Sequence, residues 1–101
     1  MFARLATYDV PEGTEEEARA AFRDAIARIR ECRGLRDAFV LLGTESGRTV
    51  TITLWEDRAA MADSRVVASR LRSEAVASLG GDIVSVDEYE VVEEGEPQVR
   101  G

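Results

Sequence analysis

The run Val50-Thr51-Ile52-Thr53-Leu54-Trp55-Glu56-Asp57 constrains the fold of this chain more than any other segment. Apolar and small polar residues alternate through Leu54, the period-two pattern of a strand with two unlike faces. The run ends in the chain's single tryptophan, an acid pair and a helical stretch from Arg58 to Met61. A strand that carries a flat aromatic side chain to the mouth of a sheet, just before a helix, makes a floor for an aromatic ligand.

The flanking segments supply the rest of one small domain. Phe2 to Asp9 predicts a first strand, which Pro11 and Gly13 break. Thr14 with Glu17 three residues on has the spacing of a capping box, and Glu15 and Glu16 suit the positive end of the helix dipole. Ala18, Ala21, Phe22, Ala25, Ile26 and Ile29 then fall at spacings of three and four, which predicts an amphipathic helix stopped by Gly34. Residues 38–44 predict a second strand, and a Gly47-containing turn joins it to a third over 48–56, as an antiparallel hairpin. Asp57 is placed to cap a helix through Asp63. Ser64 is placed to cap a continuation bearing Val67, Leu71, Ala75 and Leu79. Gly80-Gly81 ends that helix, residues 82–92 predict a last strand, and residues 93–101 predict an acidic tail beyond a domain of residues 1–92.

The order is β-α-β-β-α-β, the α+β ferredoxin-like arrangement: a four-stranded antiparallel sheet with its helices on one face. Val50, Ile52 and Leu54 are expected to meet those helices, leaving Thr49, Thr51 and Thr53 for the open face. An open sheet face on so small a domain wants a cover, and a second copy of the chain is the simplest one, so a homodimer is expected.

Composition narrows the function classes. A net charge of −7 leaves no basic stripe to meet phosphates, so nucleic acid is not an expected partner. The chain has no histidine and no asparagine. It therefore lacks an imidazole base, a histidine-based metal site and a histidine haem ligand. The single Cys32 cannot form an internal disulfide and, with no histidine to activate it, reads as a small buried hydrophobe rather than a nucleophile. No run approaches the ~20 apolar residues of a membrane span, and the first residues lack a leader's apolar core. The expected setting is cytoplasmic, without membrane, metal or cofactor.

Seven side chains are candidates for a site. Trp55 can stack on a planar ligand while its indole N–H donates to a ring oxygen. Tyr8 and Tyr89, near the ends of neighbouring strands, can orient or protonate a ligand oxygen. Arg4, inside a half-buried strand, can stabilise developing negative charge or pair with Asp87 or Glu88. Asp87 and Glu88 lie inside the last strand, one of them must face inward, and a desolvated acid there can act as a base. Met61 is expected in the core or on the cavity wall.

With the element order and the Leu54-Trp55-Glu56-Asp57 strand end in place, the chain resembles the antibiotic biosynthesis monooxygenase-like domains of the dimeric α+β barrel superfamily. The resemblance spans residues 2–92. It is carried by Trp55-Glu56, by Ala59, Ala60, Met61 and Ser64 after them, and by the Pro11-Glu12-Gly13 approach to the first helix. It implies a dimer whose sheets close into a barrel, with a ligand cavity in each subunit between sheet and helices. Some members oxidise polycyclic hydroquinones with dioxygen and no cofactor; others degrade haem with an Asn, a Trp and a His. Trp55 matches the tryptophan, and the chain has no residue to match the other two, which sets haem degradation aside. The implied activity is cofactor-independent oxygenation of a flat aromatic or polyketide-like substrate beside Trp55, with Arg4 as charge partner and Asp87 or Glu88 taking the proton. The alternatives are a binding module without catalysis, a cavity used for isomerisation or cyclisation, and a dimerisation module whose cavity is filled by Phe22, Phe39 and Met61.

Overall fold

The structure is a computed structural model, and it describes residues 1–95. Seven elements follow in order: β1 (Phe2–Asp9), α1 (Glu15–Ile29), β2 (Leu35–Leu42), β3 (Arg48–Trp55), α2 (Arg58–Asp63), α3 (Arg65–Leu79) and β4 (Asp82–Glu90). The strands form one antiparallel sheet in the order β2-β3-β1-β4, and the helices cover one face. The ferredoxin-like expectation holds, with the second helical region split into α2 and α3. Residues 93–95 have no regular secondary structure, and the rest of the expected tail lies outside the described residues.

β2 begins at Leu35, ahead of the expected 38, and β4 stops at Glu90. The charged pair Arg36-Asp37 disguises the start of β2, because an edge strand tolerates charges that a central strand does not. Gly34 makes that start possible. It sits at φ 84°, and a Cβ there would collide with the Ala60 side chain of α2.

Two expected caps are used differently. Thr14 makes no side-chain cap; its hydroxyl donates to the Pro11 carbonyl and closes the turn before α1. Ser64 does not cap α3 either. Its backbone is helical, and its hydroxyl donates to the Met61 carbonyl at 2.7 Å. Asp57 does cap α2, accepting from the Ala60 N–H at 2.8 Å.

The assignment of β3's two faces is the principal correction. Thr49, Thr51, Thr53 and Trp55 lie on the helix side, while Val50, Ile52 and Leu54 lie on the other. The register fixes this: Thr53 stands opposite Arg4, Thr51 opposite Ala6 and Thr49 opposite Tyr8 on β1. Arg4, Ala6 and Tyr8 are all buried under the helices. Thr51 and Thr53 are tolerated there because polar groups wait beside them: the Tyr8 hydroxyl is 3.0 Å from the Thr51 hydroxyl, and the Trp55 indole N–H donates to the Thr53 hydroxyl at 2.9 Å, whereas the buried Thr49 hydroxyl has no partner among the described residues. The apolar set of β3 instead joins Leu5, Phe39 and Leu41 on the uncovered face, where Phe39 and Leu41 are 44% and 47% exposed.

The core under the helices is in two clusters. One gathers Ala6, Tyr8, Ala18, Phe22, Ala75, Val76 and Leu79. The other gathers Ile29, Trp55, Ala60, Met61, Ala68 and Leu71. A small cavity lies between the sheet and α1 and α3, with walls drawn from both clusters.

Candidate functional site

That cavity has a volume of about 50 Å³, room for a few ordered waters. β1 contributes Arg4 and Tyr8, and β3 contributes Thr51 and Thr53. Phe22, Ala25, Ile26 and Ile29 come from α1, and Ala68, Leu71 and Arg72 from α3. Apolar helix residues, with the Arg72 guanidinium among them, thus face the hydroxyl-bearing Tyr8, Thr51 and Thr53 and the Arg4 guanidinium of the sheet side, the mix of greasy walls and few polar groups typical of small-molecule sites.

Arg4 is the most constrained of these residues. It is 4% exposed, and a guanidinium so deep requires partners for its charge and its N–H groups. Its Nη2 donates to the Met61 carbonyl and to Glu88 Oε2, both at 2.8 Å. Its Nε reaches the same carboxylate oxygen at 3.2 Å, and Nη1 donates to Ser64 at 3.1 Å. Its guanidinium carbon also lies 5.6 Å from the centre of the Trp55 ring system, within cation–π range. Glu88, not Asp87, is therefore the acid of β4 that faces inward. Arg65 holds the outer side of Glu88 at 2.6 Å.

The electrostatics follow from those contacts. Hydrogen bonds from Arg65, and secondarily from Arg4, hold the Glu88 carboxyl down to about 2 against the opposing effect of burial. A carboxylate that acidic is a poor base. Burial pushes the Tyr8 phenol above its ordinary value, partly countered by the Thr51 hydrogen bond and the charges of Arg72 and Arg4. Tyr8 is thus a neutral hydroxyl at physiological pH, able to donate to a ligand.

The other six candidate residues divide between the two sides of the sheet. Arg4 and Tyr8 line the cavity. Trp55 is fully buried and does not line it, and its N–H is engaged by Thr53, which does. Met61 is a core side chain that contributes its carbonyl to Arg4. Asp87 and Tyr89 stand opposite Leu5 and Ala3 on the uncovered face, away from the cavity. Tyr8 and Tyr89 are consequently on opposite faces and toward opposite ends of the β1–β4 pair, although their strands are neighbours as expected. Strand adjacency constrains side-chain proximity only when parity and register agree.

Arg72 and Thr51 are cavity residues that local pattern did not single out. Arg72 sits beside Leu71 in a helix rich in arginine, and no spacing distinguishes it from Arg65 or Arg70, which are exposed. Only the packing of α3 over β1 turns Arg72 toward the cavity. Thr51 was legible as one face of β3, with that face assigned to the wrong side.

The profile of the family described as antibiotic biosynthesis monooxygenase matches residues 1–66. The chain belongs to the antibiotic biosynthesis monooxygenase family. The match takes in β1 through α2, including Arg4, Tyr8, Thr51 and Trp55. No curated protein gives a significant match. Among solved structures, the chain is similar to SnoaB, a cofactor-independent oxygenase from Streptomyces nogalater, at 15% identity and a TM-score of 0.75, over 96% of this chain and 97% of that one. It is also similar to a protein from Deinococcus radiodurans assigned as an antibiotic biosynthesis monooxygenase, at 18% identity and a TM-score of 0.71, over 98% and 100% of the two chains. A third is a MhuD variant with two manganese protoporphyrin IX molecules bound per active site, at 20% identity and a TM-score of 0.70, over 96% and 100%. At these identities the likeness establishes the fold shared by the family.

The Arg4–Glu88 pair gives the first testable expectation. Glu88→Gln strands a buried guanidinium and is expected to lower stability at neutral pH by about 2–3 kcal/mol, less than for a fully buried pair because Glu88 keeps some water. The folded carboxyl titrates below its unfolded value of 4.5, so its stabilisation is complete above pH 4.5 and lost as pH falls toward 2. Denaturant unfolding of both proteins across that range should show the gap closing as the pH drops.

Proposed function

We propose that this protein is a monooxygenase-type enzyme that admits a flat aromatic or polyketide-like molecule between its sheet and helices and oxidises it without a cofactor. The observation that carries the reading is the cavity, mostly apolar on its helix side, with Tyr8, Thr51, Thr53 and Arg72 among its lining. Membership of the family supplies the reaction class. In the simplest case an ionised anthrone gives its electrons directly to dioxygen. One oxygen atom becomes the new ring carbonyl, and the other leaves as water with the two hydrogens the ring carbon loses. The protein's share is a dry, oriented pocket and donors for oxygen atoms that gain charge. Tyr8 supplies a neutral O–H, Thr51 and Thr53 hold and relay hydrogen bonds, and Trp55 fixes Thr53 from behind. Asp87 and Tyr89 take no part in this scheme, since the sheet separates them from the cavity.

Size adds a requirement. Sites for small organic ligands span about 300–1,000 Å³, so a polycyclic substrate needs the walls to part. Ile26 lines both this cavity and a trough of about 470 Å³ between α1 and β2, bordered by Arg19, Arg23, Val40 and Leu42. Rotation of Ile26 joins the two spaces and gives a planar molecule a way in.

The uncovered sheet face supports a homodimer. Leu5, Phe39, Leu41, Val50, Ile52, Leu54 and Tyr89 share that face with Asp37 and Asp87, and a largely apolar surface of this kind marks an interface. A two-fold copy covers it against itself. Sedimentation equilibrium is expected to return twice the chain mass, and Leu41→Glu to shift the protein toward monomer; a monomeric wild type at micromolar concentration would remove the dimer.

The activity is tested by oxygen uptake with a panel of anthrones and hydroquinones. Protein-dependent uptake is expected, and Tyr8→Phe is expected to slow it by about tenfold or more. Binding without uptake across the panel would leave a ligand-binding module in place of an enzyme.

A further inference from the structure

Arg72 is anomalous among the charged groups that reach the cavity. Arg4 has spent four of its five N–H groups on Glu88, Ser64 and Met61. Glu88 is clamped by Arg4 and Arg65. Arg72 is half-buried, lines the cavity, and has no hydrogen bond or ion pair with any of the described residues. Its charged and titratable surroundings are Tyr8 and Arg4 on β1 and Glu88 on β4. No carboxylate lines the cavity. In a chain of net charge −7, this is a pocket with two guanidinium groups, no acid and no base.

A half-buried guanidinium with no acid paired to it keeps its N–H groups free for an anion, and a charge-assisted hydrogen bond inside a partly dry cavity is stronger than the same bond in open water. The rest of the lining selects what can carry the anion. Phe22, Ile26, Ile29 and Leu71 require a flat apolar body, and the Tyr8 and Thr51 hydroxyls can donate to an oxygen at its edge.

Resting on the cavity reading above, we propose that the site binds planar hydroxyaromatic molecules as their anions, with Arg72 as the counter-ion. The ligand's O–H proton is released to solvent and no other bond changes. Ionisation is then driven by the charge of the pocket rather than by a general base, which resolves how a site without histidine or an available carboxylate activates an acidic phenol or enol. Arg72 is the group that fixes both the class of ligand and its ionisation state.

The test uses nitronaphthol, whose anion absorbs at longer wavelength than its neutral form, titrated by absorbance free and bound to the full chain. The bound dye is expected to ionise at a pH lower by on the order of one unit, equivalent to about tenfold tighter binding of the anion than of the neutral form. Arg72→Met should abolish that shift while the dye still binds, and Arg72→Lys, which keeps the charge, should retain most of it. Circular dichroism verifies that both variants are folded. An unshifted dye in the wild-type protein, or a shift that survives Arg72→Met, overturns the role of Arg72 and leaves the cavity reading standing. Failure of the dye to bind the wild-type protein at all overturns both.

Discussion

The buried guanidinium of Arg4 is the interaction on which the rest of this molecule depends. It starts on β1, takes an acid from β4, a hydroxyl and a carbonyl from the α2–α3 junction, and packs over the tryptophan that ends β3. One side chain thereby ties two strands and both helices of the second helical region to a third strand. Such a node is tolerated only when nearly every donor is satisfied, because the interior penalises an unpaired charge far more than it rewards a paired one. Its consequence for function is that Arg4 stands in the cavity wall as structure, with little capacity left for a ligand. The free positive charge belongs to Arg72.

The second constraint is the division of the sheet into two apolar jobs. The face under the helices carries polar residues, namely Arg4, Thr49, Thr51, Thr53 and the Tyr8 hydroxyl. The uncovered face carries Leu5, Phe39, Leu41, Val50, Ile52 and Leu54. In a single isolated domain this would be inside out. It becomes sensible when the helix side holds a ligand cavity that needs hydrogen-bonding groups and the other side is covered by another surface.

The same division explains how far the sequence could be read. Element order and most boundaries were legible because period two and period 3.6 are local properties: β1 runs Phe2–Asp9 as expected, and β3 differs by a single residue at its end. Alternation on β3 also showed that its two faces differ. It could not show which face the helices take, since the rule that apolar residues go inward has two insides to choose from here. Parity within β4 correctly required one of Asp87 and Glu88 to face inward, and the partner, Arg4, was within the expected pairings. Arg72 was invisible because its importance arises from the packing of α3 against β1, a contact across more than sixty residues of chain that no local pattern encodes.

A crystal structure with a bound planar aromatic tests the central claim, that the ligand site lies on the helix side of the sheet, more directly than any rate. The account requires the ring system between α1 and the strands, in contact with Tyr8, Thr51 and Arg72, with Ile26 displaced toward the trough beside β2. A ligand seated on the opposite face against Asp87 and Tyr89, with Ile26 unmoved and the inner cavity unaltered, would contradict it.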